Sequence, residues 1–283
     1  MIIVPAAYKF PFIANAYSNL FIRQCNYFVP LYASLWLEKG VNMTNGVQNF
    51  TVQDIDAVSL QKFDVFGLTD KHLVEYLIST IKIHPHVLEP LSALVANAKL
   101  AGFDARIASA FRSFERQLLI WNNKALGLRP VLDEAGQTID INGLNDDEKV
   151  FAILRWSALP GASRHHWGTD IDVYDASRMP ADYQLQLTVE ETQGDGPCAE
   201  FHVWLTQELQ QNAQNFYRPY VEGVGSISPE PWHLSYAPLA HQFAIQLSED
   251  SLREKIQATD IELKDSILKN LSFIFSQYIK PYQ

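Results

Sequence analysis

Two short stretches of alternating apolar and polar residues, Thr169 to Tyr174 and Pro231 to Tyr236, constrain this chain more than any other feature. A period of two is the mark of a strand with one apolar face. In the first stretch Ile171 and Val173 alternate with Asp170, Asp172 and Tyr174, so Asp172 projects from the polar face. In the second, Trp232, Leu234 and Tyr236 alternate with His233 and Ser235, which brings His233 forward. Each strand is led in by reactive side chains, Ser163-Arg164-His165-His166-Trp167-Gly168 before one and Glu230-Pro231 before the other.

Two imidazoles, a carboxylate and a spare glutamate are the parts of a catalytic zinc site. A hydrolytic zinc keeps three protein ligands and an open position for water, whose pKa falls to about 7. A nearby carboxylate then takes the proton. His165, Asp172 and His233 suit the ligand roles, and Glu230, three residues before His233 and stiffened by Pro231, suits the base. Gly168 lets the backbone turn between His165 and Asp172. Arg112, just past a strand end, is placed to meet a substrate carbonyl or carboxylate. Any one of these residues alone is ordinarily structural, a packed histidine or a surface ion pair; their conjunction is what points to a metal site.

The bulk numbers narrow the class. With 283 residues, 47% hydrophobic and 19% charged, the chain has ample material for one large domain or two small ones. A formal net charge of −10 and no basic stripe argue against nucleic acid as a partner. No apolar run approaches transmembrane length. The two cysteines, Cys25 and Cys198, allow a disulfide or free thiols; a Cys198/His202 nucleophile pair is the weaker reading, since cysteine usually packs as a small hydrophobe.

Residues 1–42 differ from the rest, with nine aromatics and only four charged residues. Three readings stand open: a signal peptide, with Ala14-Asn15-Ala16 as a small-residue cleavage site but no cationic stretch before it; a true start at Met43; or an aromatic cover for the main domain. Residues 43–283 are expected to form one domain, helical from about Pro238.

Along that domain, Val87, Leu88, Leu91, Leu94, Val95 and Ala98 share one helical face to Leu100, and His84-Pro85-His86 marks the turn into it rather than a ligand pair. Gly102 stops the helix, and Arg106 to Ala110 reads as a strand. A helix from Ser113 to Trp121 follows, with Ser113 as N-cap. Pro130 to Ile141 suggests a hairpin. Asp146-Asp147-Glu148 open a helix to about Leu159, Ala199–Asn212 form another, and Ile261–Ile279 reads as a long helix with a solvated face. The expected fold is α+β: a small antiparallel sheet flanked by helices, with the zinc site at the sheet edge.

Three blocks now carry a resemblance. Ser163-x-His165-x-x-Gly168-x-x-x-Asp172, Glu230-x-x-His233 and the upstream Ser109-Ala110-Phe111-Arg112-Ser113-x-x-x-Gln117 resemble the VanY-type zinc D-alanyl-D-alanine carboxypeptidases, in the same order and over about Leu68 to Pro238. The resemblance implies the compact fold shared with D-Ala-D-Ala dipeptidases and the hedgehog signalling domain. It implies one Zn2+ on His165, Asp172 and His233, Glu230 as general base and then acid, and Arg112 steadying the carbonyl oxygen. Ser163 and Gln117 correspond to positions near the substrate. The implied substrates are peptidoglycan peptides or muropeptides, trimmed of a terminal D-alanine; some relatives cleave an L,D bond or release a dipeptide.

One departure concerns Asp170, which stands where the family usually has alanine. It either orients a ligand histidine, faces substrate, or points away. His166 and Trp167 are bulky for their places, and His166 lines the cleft or packs structurally. Two other classes compete. The facial triad of iron oxygenases usually uses His-x-Asp, closer than His165 and Asp172, and gives Glu-x-x-His no role. An inactive zinc-binding module would have lost Glu230 or Arg112, and both are present. Cleft loops decide among the peptidase activities, and Lys124–Asn145 is the insert expected to shape one side. Such substrates imply the bacterial envelope, whereas the weak export signal suits cytoplasmic muropeptide recycling; both locations stay open.

Overall fold

The computed structural model describes residues 62–77, 80–180, 182–211 and 214–283. The readings made for residues 1–42, Cys25 included, lie outside the described residues.

Strands β1 (Val74–Glu75) and β2 (Lys82–Ile83) form a small antiparallel ladder. Pro85 then opens a 3-10 turn, Pro85–Val87, in which His84 Nδ1 accepts a hydrogen bond from the His86 amide at 3.3 Å. His84 is therefore a capping residue, as its place before a helix suggests. Helix α1 (Leu88–Leu100) buries Leu91, Leu94 and Ala98, the positions that recur at helical spacing. Strand β3 (Ala105–Ser109) follows Gly102.

Helix α2 (Phe114–Ala125) begins where Ser113 Oγ accepts the Arg116 amide at 3.2 Å. The hairpin is present as β4 (Val131–Leu132) and β5 (Thr138–Ile139). Helix α3 (Asp146–Leu154) carries three acids in its first turn and a capping box between Asn145 and Glu148. It ends five residues short of the expected Leu159. There the chain turns, and the Trp156 indole donates to the Asp133 carbonyl at 2.8 Å.

The main sheet has the order β3-β6-β8-β7, all antiparallel, with β6 at Asp170–Asp175, β7 at Phe216–Tyr217 and β8 at His233–Tyr236. Helix α4 (Ala199–Gln211) lies in the chain between β6 and β7. The α+β reading holds. Two details differ from expectation. Strand β6 is buried on its polar face as well as its apolar one: Asp170 is 0% and Asp172 4% exposed. The site also stands on the inner strands rather than on an edge strand, since Asp172 on β6 pairs directly with His233 on β8.

The C-terminal part is helical but broken. Helices α5 (Ala237–Ala244), α6 (Glu249–Gln257), α7 (Lys264–Lys269) and α8 (Leu271–Ile274) precede a π-helical turn, Phe275–Ile279. The continuous helix expected over Ile261–Ile279 does not form. Leu263 takes the left-handed conformation at φ 62°, and residue 262 is tied to α2: Trp121 Nε1 donates to its carbonyl at 3.1 Å and its amide donates to Asn122 Oδ1 at 3.0 Å. Helix α5 backs the site, with Phe243 stacked on Trp167 at 5.8 Å. Among the described residues no helix is long and apolar enough to cross a membrane.

Candidate metal centre

His165 sits in a 3-10 turn, Arg164–Trp167, that Gly168 ends in the left-handed conformation at φ 69°. A Cβ at Gly168 would lie 2.5 Å from Leu73 Cδ2 and 3.1 Å from the His84 amide, so both backbone angle and space call for glycine. The turn carries His165 to the start of β6, and register does the rest. Ligand atoms of His165, Asp172 and His233 all lie within 4.8 Å of one another.

Each imidazole is oriented by a partner on its far nitrogen. His165 Nδ1 donates to the Ala110 carbonyl at 2.8 Å, which leaves Nε2 as a lone pair 3.3 Å from Asp172 Oδ2. His233 Nε2 donates to Asp170 Oδ1 at 3.0 Å, which leaves Nδ1 facing Asp172 Oδ1 at 3.3 Å and Glu230 Oε2 at 3.4 Å. Asp172 Oδ1 and His233 Nδ1 are buried with no hydrogen-bond partner. Two imidazole nitrogens and a carboxylate, with orphaned acceptors aimed at a common point, fit a small N/O-binding cation of the zinc type.

The electrostatics agree. Burial opposes the Asp172 carboxylate, yet the adjacent His165 and His233 hold it well below the usual range. Burial also opposes charge on His233, but Asp170, Asp172 and Glu230 together raise its pKa well above the ordinary value. Asp170, Asp172 and Glu230 thus concentrate negative charge around His233.

The group opens into a cavity of about 310 Å³ whose wall includes Arg112, Ser163, His165, Asp172, Glu230 and His233. The Arg112 guanidinium donates to Gln117 Oε1 at 2.9 Å and Ser109 Oγ at 3.3 Å, and its amide donates to the His165 carbonyl. Three sequence candidates are elsewhere. Gln117 is fully buried behind Arg112, with its amide donating to the Ala158 carbonyl at 2.7 Å, so it fixes the arginine rather than facing a ligand. His166 is fully buried, donating from Nδ1 to the Arg112 carbonyl and accepting the Gly161 amide at Nε2, which makes it structural. Asp170 is off the cavity wall as well. Its Oδ1 accepts the His233 Nε2 hydrogen bond at 3.0 Å, the contact that the histidine-orienting reading calls for.

Sequence reasoning missed Tyr220 and Lys124. The Tyr220 ring packs edge-on against His233 at 4.8 Å and lines the cavity. Nothing in its neighbourhood, Asn215 to Tyr220, signals this. Lys124 lies in the last turn of α2, where a lysine is usually read as a cation on a helix end. The Cys198 thiol is buried and free, its pKa raised by burial, so no reactive thiolate is present there.

Comparison with known proteins adds the family. Residues 80–239, more than half of the chain, match the family described as VanY, D-alanyl-D-alanine carboxypeptidase. An uncharacterised protein of Haemophilus influenzae is 33% identical over 123 residues, covering 43% of this chain and 92% of the relative. A second from the same organism is 44% identical over 96 residues, 33% of this chain and 66% of the relative. Among solved structures, VanYB in complex with D-alanine-D-alanine aligns with a TM-score of 0.43 at 21% identity, over 66% of this chain and 89% of that one. The LdcB LD-carboxypeptidase aligns at 0.42 and 19%, over 70% and 77%. All three motif blocks lie within the matched residues, and the chain belongs to the VanY family of D-alanyl-D-alanine carboxypeptidases.

Proposed function

We propose that this protein is a zinc-dependent carboxypeptidase that hydrolyses the terminal D-alanine of peptidoglycan-type peptides, with one Zn2+ on His165, Asp172 and His233. The observation that carries this reading is the convergence of three buried ligand atoms, two of them orphaned, beside a carboxylate and a guanidinium in one cavity. An unsatisfied buried polar atom costs about 1–3 kcal/mol, and a coordinated cation offsets that cost. The D,D choice follows the description of the matched family.

Bound at this group, zinc supplies Lewis acidity and brings the pKa of water to about 7. Glu230, with Oε2 beside His233 Nδ1, takes the proton from the attacking water and later delivers it to the departing amine. Arg112, held by Gln117 and Ser109, faces the carbonyl oxygen as charge develops on it. Ser163, buried at the cavity wall, offers its hydroxyl to the substrate backbone. Asp170 keeps the His233 Nδ1 lone pair directed at the ion.

The test is mass spectrometry of products from a pentapeptide ending in D-Ala-D-Ala, using zinc-loaded protein. Loss of one alanine is expected. The Glu230→Ala variant is expected to keep zinc and lose turnover; wild-type rates in it would remove Glu230 from the role of base. If the peptide survives intact with one zinc bound per chain, the substrate assignment fails.

A further inference from the structure

Part of the cavity wall is built by the end of α2 and the segment after it, which contribute Lys124, Arg129 and Leu132, together with Trp156, Ser157 and Ala158 after α3. Its charge is unusual for this protein. The chain as a whole carries −10, yet the cavity is lined by three basic side chains, Arg112, Lys124 and Arg129, against two carboxylates, Asp172 and Glu230. Both carboxylates are engaged at the metal centre, and a bound dication makes the cavity more positive still.

Two of these side chains, Lys124 and Arg129, are not ion-paired to a carboxylate among the described residues. Among the described residues, Lys82, Arg106, Arg155, Arg178, Arg253 and Lys269 each lie within 4.0 Å of a carboxylate. No such pair involves Lys124 or Arg129. Lys124 Nζ donates instead to the Ser157 hydroxyl at 2.7 Å, a neutral group that also lines the cavity. Burial, and then the nearby Arg129, push the Lys124 pKa down to about 8. A half-buried ammonium beside two guanidinium groups is a charge awaiting its counter-ion. On the carboxypeptidase reading Arg112, held by Gln117 and Ser109, serves the reacting carbonyl, so Lys124 and Arg129 remain.

Resting on the carboxypeptidase reading above, we propose that Lys124, with Arg129 at the outer rim, binds the free C-terminal carboxylate of the substrate and thereby makes the site an exopeptidase. The residue beyond the scissile bond spans only about 3.3–3.6 Å of chain. Lys124 lines the same cavity of about 310 Å³ as His165, Asp172 and His233, and it is close enough to Glu230 and Arg112 for both charges to act on it. Steering follows as well, since a positive cleft on an acidic protein draws an anionic chain end. A peptide continuing past the scissile bond, or ending in an amide, presents no charge here and leaves Lys124 desolvated without compensation.

The experiment separates this proposal from the hydrolase reading by measuring binding apart from turnover. Zinc-loaded Glu230→Gln protein is titrated calorimetrically with a pentapeptide ending in D-Ala-D-Ala as free acid and as C-terminal amide. The acid is expected to bind about ten- to a hundredfold tighter, the range of one or two hydrogen bonds to a charged group. Adding Lys124→Met is expected to remove that difference by weakening the acid alone, and Lys124→Arg to restore most of it; circular dichroism checks that each variant is folded. Equal binding of acid and amide, equal weakening of both by Lys124→Met, or no measurable binding of either peptide overturns the proposal. Turnover by the unmodified enzyme is read separately. Discrimination in binding without cleavage refutes the hydrolase reading alone, and cleavage of acid and amide at equal rates refutes carboxylate recognition alone.

Discussion

Replacing Asp170 tests the least exposed part of the site. Its Oδ1 accepts Arg164 Nε at 2.8 Å and His233 Nε2 at 3.0 Å, and its Oδ2 accepts the Thr169 hydroxyl at 2.7 Å. Arg164 is itself buried, donating to the Tyr282 carbonyl at 2.6 Å, to Ser235 Oγ at 2.7 Å and to the Tyr217 hydroxyl at 3.0 Å. Its guanidinium also sits 4.7 Å from the Trp167 ring centroid. Asp170→Ala leaves that guanidinium without an anion in a buried setting. Breaking one partner of such a buried pair costs about 3–5 kcal/mol, a large share of the roughly 5–15 kcal/mol that holds a typical domain folded. With a urea m-value of about 2–3 kcal/mol/M, the midpoint should fall by about 1–2 M. The same substitution removes the group that holds the His233 tautomer, so zinc affinity should fall about ten- to a hundredfold. Urea titration of metal-free protein and competition against a chromophoric chelator measure the two effects. The double variant Arg164→Met, Asp170→Leu removes the orphaned charge as well; it should recover much of the stability and none of the zinc affinity. An Asp170→Ala protein with unchanged midpoint and zinc affinity would refute the reasoning.

Arg112→Ala should lower kcat by about 10²–10³ if the guanidinium meets the oxyanion, with zinc content unchanged by metal analysis; Gln117→Leu should produce a smaller loss in kcat through a misplaced Arg112. Gly168→Ala combines a positive φ with a backbone neighbour 3.1 Å from the new Cβ, so it should cost at least about 1 kcal/mol and reduce zinc occupancy, read by thermal unfolding and metal analysis. Burial holds His84, His166 and His202 at pKa values of about 3. Between about pH 6.5 and 3 the unfolded chain therefore binds protons that the folded protein refuses, and stability falls as pH falls through this window. At pH 5.0 each contributes a loss of about 2 kcal/mol, while His233, whose folded pKa is raised, has its full stabilising effect already present below pH 6.5. Equal urea midpoints at pH 6.5 and 5.0 in metal-free protein would contradict this.

The parts of the site that the sequence discloses are those whose geometry is set locally. Asp172 and His233 announce themselves because strand alternation fixes which face each occupies, and one antiparallel register then makes them neighbours. His165 follows because a glycine three residues on permits one tight turn. The same alternation says nothing of exposure: a buried polar face is patterned like a solvated one, and β6 is buried on both sides. Asp170 is the sharpest case, since its partners Arg164 and His233 are separated in the chain and only the sheet joins them. Lys124 and Tyr220 go further, because they reach the cavity from a helix end and an irregular segment whose paths are set by packing. The long C-terminal helix fails for the converse reason. Its periodicity is sound, yet the hydrogen bonds of Trp121 and Asn122 to residue 262 outweigh local propensity and turn the chain at Leu263. Chemistry carried on one strand or one turn is therefore readable before the fold is known, while the remaining cavity-lining groups come from segments brought together only by folding.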